Sequence, residues 1–222
     1  MRALSALLSF TLFAPVAFAE VPSQPVAAPR PAPVVQAPPA MPLSPIVVED
    51  TPERCRSIAK RANVPSVAQG LSARIALAGC LADAAMQPLL LIDGEESMLA
   101  IDEAVKPGFE MLDLVVDKGD AATKIMALRA KADLYTQMSA KMLNTVPPPA
   151  NTSAEAAALR ETRRQIVGQM VQPWRDRQRE AHQAIVGLNR AHPELIKNPV
   201  VQAAVRDSQR QLAQLGQPVA VR

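Results

Sequence analysis

The segment NPVVQAAVRDSQRQLAQLG, residues 198–216, decides the fold class of this chain. Asn198 followed by Pro199 is typical of a helix start, because a short polar side chain caps free N–H groups and proline fits the first turn. Four aliphatic side chains then recur at helical spacing, namely Val201, Val205, Leu212 and Leu215. Gly216 and Pro218 end the pattern. The segment therefore predicts one amphipathic helix with a defined start and end.

The same start and stop signals divide the rest of residues 51–216 into helices. The predicted segments are 51–62, 67–86, 94–119, 120–146 and 152–190, with start signals at Thr51, Ser66, Asp93, Asp120 and Thr152–Ser153. Pro107–Gly108 breaks or kinks the third segment, and Pro147–Pro149 ends the fourth. Only 3% of the residues are aromatic, and Ala, Leu, Met, Gln, Arg and Glu are abundant. We expect an all-α fold of six or seven antiparallel helices, as a bundle or a short solenoid of helical hairpins.

The segment 152–190 contains an apolar stripe that is predicted to face the core. The stripe consists of Leu159, Ile166, Met170 and Trp174, and it continues through Ala181, Ile185 and Leu188. Because its phase is kept across Pro173, and Gln172 is a poor cap, the pattern favours one long helix kinked at Pro173 over two helices.

The N-terminus has the features of a secretory signal. Arg2 gives a basic start, a short apolar run follows, and Ala17 and Ala19 are the small residues before a cut between Ala19 and Glu20. A membrane anchor would need a longer apolar run, and no later stretch is apolar for eighteen residues. We therefore expect residues 1–19 to be removed, with export to the periplasm or beyond and no transmembrane segment in the mature chain.

A proline-rich linker is predicted between the signal and the helices. Residues 21–50 contain nine prolines and little charge, a composition that favours polyproline II over a packed core. Residues 20–50 are accordingly assigned to a disordered linker, with a docking peptide for a proline-binding groove as the alternative. The helical domain is assigned to residues 51–216, and residues 217–222 to a flexible tail.

The two cysteines of the chain, Cys55 and Cys80, are twenty-five residues apart. An isolated pair in an oxidising compartment is expected to be bridged, whereas a redox dithiol would have a Cys-x-x-Cys arrangement. If one helix ends at Ala62 and the next begins at Val67, the cysteines are offset by about 9 Å along parallel axes. A structural disulfide then requires either a longer connection, ending near Gly70, or helices that cross steeply or bend.

Catalytic and metal-binding patterns are missing from the sequence. His182 and His192 are ten residues apart, which does not suit metal ligands on one helix face, and His182 is predicted to lie on a helix flank. Asp93, Glu95 and Glu96 lack the spacing of a calcium loop. No nucleophile elbow or glycine-rich phosphate loop is present, and the few aromatic residues exclude a stacking platform for nucleic acid. We expect a protein that is not an enzyme and needs no cofactor or metal.

Charge is distributed unevenly along the chain. Residues 83–120 contain ten acids and two bases, whereas residues 150–222 contain eleven bases and six acids. One interpretation of this pattern is that opposite charges on neighbouring helices pair with each other. The other is a patch for an anionic partner, formed by Arg160, Arg163, Arg164, Arg175, Arg177 and Arg179.

The runs Ser72–Cys80 and Ala130–Tyr135 each resemble the small-residue helix of a tetratricopeptide-type repeat. The resemblance extends at most over residues 66–190 and implies a protein-binding scaffold. The repeat's Trp, Gly and Tyr do not recur, so no binding residue is carried over. The order of signal, linker and helical domain is also similar to that of envelope proteins of Gram-negative bacteria.

These observations predict an exported, non-enzymatic interaction module whose partner is another envelope protein, with no indication of its oligomeric state. The alternative is a small-molecule or lipid carrier, or an enzyme, with an apolar pocket between helices. Such a pocket would be lined by Met98, Met111, Met126, Met138 and Met142.

Overall fold

The computed structural model describes residues 43–64, 66–92, 94–146 and 153–216, and these residues form helices and no strands. The α-helices are α1 Arg56–Ala62, α2 Val67–Met86, α3 Glu95–Lys118, α4 Ala121–Leu143, α5 Ala154–Met170, α6 Gln172–Ala191 and α7 Pro199–Leu215. Two 3-10 helices, Glu53–Cys55 and Pro193–Lys197, precede α1 and α7. The all-α prediction is confirmed. The predicted signal, residues 20–42 of the linker, Pro147–Pro149 and the tail 217–222 lie outside the described residues.

Polar caps begin three of the helices as predicted. The Asp120 carboxylate accepts from the Thr123 N–H at 2.8 Å, and Asn198 Oδ1 accepts from the Val201 N–H at 3.2 Å. Ser153 Oγ accepts from the Ala156 N–H at 3.4 Å. These bonds satisfy N–H groups that a helix start leaves without a partner.

Two other predicted caps are wrong. The Thr51 hydroxyl donates to the Val47 carbonyl at 3.0 Å and caps no helix. The chain turns through the 3-10 helix Glu53–Cys55 before α1 begins. Ser66 precedes α2 without a side-chain cap bond. Thr51 instead stabilises the turn that joins residues 43–50 to the helices.

The two prolines inside predicted helices behave differently. Pro107 lies within the continuous helix α3, so the chain does not break there. Pro107 and Glu103 are both exposed, so water can hydrate the Glu103 carbonyl that proline leaves unpaired. The prediction of one long helix across Pro173 is wrong, because α5 and α6 are separate helices that meet at Val171. Pro173 has no N–H for the carbonyl four residues earlier and therefore occupies the first turn of a new helix.

Neighbouring helices in the middle of the fold run antiparallel. Lys131 of α4 pairs with Asp113 of α3 at 2.6 Å, and the Phe109 and Tyr135 rings lie 4.7 Å apart between their centroids. The side chains of Gln178 in α6 and Thr136 in α4 are joined by a 2.9 Å hydrogen bond. Residue numbers rise on one helix as they fall on its neighbour. This alternation buries the aliphatic stripes of α2, α3, α4 and α6 against one another.

A disulfide joins Cys55 to Cys80, as the sequence predicts. A Cβ at position 70 would lie 3.3 Å from the Ala62 carbonyl oxygen, so Gly70 stands level with Ala62 although α2 begins at Val67. Counted from this level, the axial offset of the two cysteines falls to about 4.5 Å. Their Cα atoms are 5.9 Å apart. The connection is the short one, since α2 begins at Val67, and the contact level of Gly70 with Ala62 removes about half of the expected offset.

Residues 43–50, which composition assigns to the linker, lie against α1 and α2, and we call them the N-terminal arm. Asn63 Oδ1 accepts from the Ile46 N–H at 2.8 Å, and Asn63 Nδ2 donates to the Ile46 carbonyl at 2.7 Å. Arg74 Nη2 donates to the Ser44 carbonyl. The side chains of Ile46 and Val48 pack into the small cluster between α1 and α2. One amide side chain thus binds both backbone groups of an extended residue.

Candidate interaction surface

Helix α5 exposes the apolar residues that its sequence pattern assigned to the core. Leu159 is 72% exposed and Ile166 is 52% exposed, so that part of the prediction is wrong. The buried residue of α5 is Val167, and the core stripe continues through Val171 and Trp174. The outward stripe of α5 is therefore aliphatic in its middle turns, where water would favour polar side chains.

The loop between α2 and α3 carries a second group of exposed aliphatic residues. Leu90 is 99% exposed and Ile92 is also largely exposed, as is Leu99 in the first turns of α3. The Ser97 hydroxyl donates to the Ile92 carbonyl and holds the loop against the first turn of α3. Four consecutive aliphatic residues at 89–92, outside any predicted helix, were the sequence signal for this group, which the helical pattern does not assign.

The two groups lie around the same end of the bundle. Both groups border the main core cluster. Trp174 at the start of α6 donates to Asp102 near the start of α3, and Arg163 of α5 donates to the Thr145 carbonyl just after α4, so both groups lie at the end of the bundle where α3 begins and α4 ends. We call the exposed group the end surface, and its members are Leu90, Ile92, Leu99, Leu159 and Ile166. Single exposed aliphatic residues are ordinary, but several around one end of a small fold are typical of an interaction site.

The structure divides the six predicted arginines between two helices. Arg160, Arg163 and Arg164 belong to the middle turns of α5, beside the end surface. Arg160 is half-buried and Arg164 is exposed. Arg163 Nη2 donates to the Thr145 carbonyl at 3.3 Å. Along α5 the three arginines therefore lie between the exposed Leu159 and the exposed Ile166.

Among the arginines of α6, Arg179 has local partners. Arg179 pairs with Asp176 at 2.7 Å and donates to the Leu215 carbonyl at 3.4 Å, while Arg175 is half-buried. Burial raises the pKa of Asp102 on α3 above its ordinary value, while the hydrogen bond from Trp174 and then the charge of Arg177 oppose this shift. The six predicted arginines are therefore divided between α5 and α6.

Trp174 anchors α6 next to the end surface. Its indole Nε1 donates to Asp102 Oδ1 at 3.0 Å, and the ring is buried against the main cluster. This bond ties the junction of α5 and α6 to the first half of α3. The two sides of the end surface are thus held by one buried aromatic residue.

His182 lies in a buried polar contact between α6 and α7. The sequence placed it on a helix flank, which is wrong, since it is only 3% exposed. Its Nδ1 lies 3.1 Å from the Ser208 hydroxyl, and the neighbouring Asp207 pairs with Arg129 of α4 at 2.9 Å. Burial lowers the pKa of His182 below its ordinary value, Asp207 opposes this shift, and Arg129 adds to it. His182 is therefore a neutral, structural residue.

We expect acid to weaken the fold through His182. The unfolded chain protonates this histidine near its ordinary pKa of about 6.5, whereas the folded chain does so only at lower pH. The free energy of unfolding should therefore fall as the pH is lowered through 6.5. Urea denaturation of wild type and His182→Gln between pH 7.5 and 5 tests this, because the variant should show a smaller pH slope. His192→Gln is the matched control, because it keeps His182. Equal pH slopes for wild type and His182→Gln would contradict the assignment.

The remaining candidates from the sequence lie in packed or local positions. Met138 and Met142 are buried in the main cluster, Met98 and Met111 pack against it, and Met126 packs against the separate cluster of α4, α6 and α7. His192 pairs with Glu194, two residues away, at 2.9 Å. Within the ranges that the structure covers, no three His, Cys, Asp or Glu side chains are grouped to hold a metal ion. None of the helices described is long and apolar enough to cross a membrane.

Comparisons with known proteins found no relative of this chain. No protein-family model, no curated protein and no solved structure matches the chain.

Proposed function

We propose that this chain is an exported, non-enzymatic interaction module that binds another envelope protein through the end surface. The observation that carries the proposal is the outward placement of Leu90, Leu99, Leu159 and Ile166 around one end of the bundle. Exposed aliphatic side chains cost solubility, so their grouping on an otherwise well-packed fold favours a surface that a partner covers.

The charge beside the end surface indicates the chemistry of the partner. Arg160, Arg163 and Arg164 border the aliphatic residues on the α5 side. Interfaces commonly combine an apolar centre with a charged rim, and arginine is frequent in them. The proposed partner is therefore a protein with an aliphatic patch and an acidic rim.

Export is supported by the disulfide and by the N-terminal sequence. A bridge between Cys55 and Cys80 is typical of oxidising compartments such as the periplasm. The basic start, the apolar run and the Ala17–Ala19 site favour cleavage before Glu20. Linker residues between that cut and the N-terminal arm would then act as a spacer that lets the helical domain reach its partner.

Charged substitutions on the end surface should abolish partner capture. Leu90→Asp with Leu99→Asp places carboxylates at the proposed interface centre, and we expect the affinity to fall at least about ten-fold. The measurement is a quantitative pull-down from an envelope extract at physiological salt, with a C-terminally tagged chain. Ile196→Asp with Val200→Asp is the matched control, since these exposed aliphatic residues lie near the start of α7.

Capture that survives in the Leu90 and Leu99 variant would contradict the proposed surface. Capture that is lost equally in the Ile196 and Val200 control would show that the substitutions act non-specifically. No captured protein with the wild-type chain would count against the interaction module itself. Melting temperatures within a few degrees of wild type confirm that both variants are folded.

A further inference from the structure

The end surface has an acidic side where α3 begins. Leu99 is exposed in the first turns of that helix. Residues three or four positions apart share a face of a helix, so Glu95, Glu96 and Glu103 surround Leu99 on one face of α3. All three glutamates are exposed, and none has an ion-pair partner in the part of the chain that the structure describes. We call Leu99 and these glutamates the acidic side.

The end surface has a basic side on α5. Arg163 comes four residues after Leu159 and three before Ile166, so it lies between them on one face of the helix. Arg160 flanks this face and is half-buried. Val167 is the one buried residue of α5, so the face that carries Leu159 and Ile166 remains open to water. We call Leu159, Ile166 and these two arginines the basic side.

The acidic side and the basic side lie at the same end of the bundle. Asp102, one turn after Leu99, accepts from the Trp174 indole at 3.0 Å, and Trp174 lies in the first turn of α6, directly after α5. Asp102 is engaged by Trp174 and attracted by Arg177, so the free charges of the acidic side are those of its three glutamates. One chain therefore presents aliphatic side chains with negative charge next to aliphatic side chains with positive charge.

We propose that the end surface pairs with the end surface of a second copy of this chain, with the acidic side of each copy against the basic side of the other. A two-fold axis produces both contacts at once, because in such a pair residue i meets residue j and j meets i. This inference rests on the proposed function, since it uses the same surface, and a second copy has the aliphatic patch and acidic rim expected of the partner. The pair keeps the aliphatic residues out of water until another envelope protein replaces the second copy.

Helix α3 of one copy fits α5 of the other in an antiparallel register. The register places Leu99 level with the midpoint between Leu159 and Ile166, which are one heptad apart. An aliphatic side chain that inserts between two others at this spacing is the packing found between paired helices. The same register brings Lys106 level with Glu155, so the base nearest the acidic side meets an acid.

The other charged residues in this register also lie opposite charges of the other sign. In antiparallel helices the residue number falls on one helix as it rises on the other, by about 1.5 Å per residue. Glu96 comes within about 3 Å of the level of Arg163, and Glu103 within about 3 Å of the level of Arg160. Glu161 is two residues from Arg163 and therefore lies on the opposite side of α5. Matched charges at the rim favour this partner and this register over others.

The test is the mass of the chain in solution, measured by sedimentation velocity from micromolar to millimolar concentration. Wild type, purified in native form from the envelope, is expected to change from monomer to dimer as its concentration rises. Added salt should weaken the dimer, because exposed ion pairs are screened. Glu96→Lys with Glu103→Lys should weaken dimer formation at least about ten-fold. Glu110→Lys with Asp117→Lys is the matched control, since these exposed acids of α3 lie beyond the reach of α5 in this register.

A mixture of two charge-reversed variants provides a second test. Arg160→Glu with Arg163→Glu should also be monomeric, because its basic side then repels the acidic side of a second copy. When this variant is mixed with the variant of Glu96 and Glu103, each reversed side meets a reversed side of opposite sign, and each unchanged side meets an unchanged one. The mixture should therefore form a dimer although neither variant does so alone. A role of these residues in folding alone would give no such rescue.

The proposal is overturned if wild type stays monomeric at millimolar concentration, or if the variant of Glu96 and Glu103 forms dimers as wild type does. It is also overturned if the mixture stays monomeric while both variants keep the melting temperature of wild type. Should the variant of Arg160 and Arg163 fail to fold, the variant of Glu96 and Glu103 decides on its own. A wild-type monomer that cosediments with vesicles of anionic phospholipid would overturn the proposal and assign the end surface to a lipid surface.

The two proposals for the end surface fail separately. A chain that is monomeric at every concentration but captures another envelope protein would overturn the pairing of copies and leave the proposed function intact. A chain that forms the expected dimer but captures no other protein would count against the proposed function and support the pairing of copies.

Discussion

Removal of the Cys55–Cys80 disulfide is expected to lower the free energy of unfolding by about 3.5 kcal/mol. The bridge closes a loop of twenty-five residues, and in the chain-entropy model its loss restores conformational freedom to the unfolded chain. The effect should be measured by urea denaturation of the double variant Cys55→Ala, Cys80→Ala. Alanine is preferred to serine because Cys55 is fully buried, and a hydroxyl there would add a cost of its own.

Reduced wild type is the control for this prediction. If the chemical bond matters rather than the packing of the sulfur atoms, wild type under reducing conditions should match the double alanine variant. A loss below about 1 kcal/mol in both cases would mean that the unfolded chain is already restricted between α1 and α2.

Gly108→Ala is expected to lower the free energy of unfolding by about 2 kcal/mol. A Cβ at this position would lie 2.9 Å from the Ala78 carbonyl oxygen, where α3 crosses α2. That oxygen belongs to the helix backbone and cannot rotate away, so the two helices must separate. Urea denaturation of the single variant measures the loss.

Gly79→Ala is the matched control in the facing helix. A Cβ there meets nothing within 4 Å, so the usual helical preference for alanine should raise the free energy of unfolding by about 0.5–1 kcal/mol. A fall in the free energy of unfolding for Gly108→Ala and a rise for Gly79→Ala would establish the close approach of α3 to α2. A neutral or stabilising Gly108→Ala would contradict it.

The sequence predicts local features of this fold well because their causes are local. The Asp120 and Asn198 caps depend on residues two or three positions away, and both form as expected. Thr51 has the same local pattern but fails as a cap. Its hydroxyl finds an acceptor in the arm, at Val47, which a helix-start pattern does not consider.

The sequence predicts poorly which side of a helix is covered. Periodicity shows that Leu159 and Ile166 share a face, but Val167 lies on another aliphatic stripe, and only contact with α4 decides between them. His182 fails in the same way, because α7 covers it from outside its own helix. The α5 part of the end surface arises from such tertiary contacts, so it was not predictable from sequence spacing.

The two hydrogen bonds between the Asn63 side chain and the Ile46 backbone determine how a pulling force on the N-terminal side reaches the helices. A pull on the residues before position 43 is first resisted by that amide pair and by Arg74 at Ser44. Once these bonds yield, the tension reaches Cys55 and passes through the covalent bridge to Cys80 in the middle of α2. Helix α1 is thereby shielded from unravelling, and the force is shared with the largest part of the core.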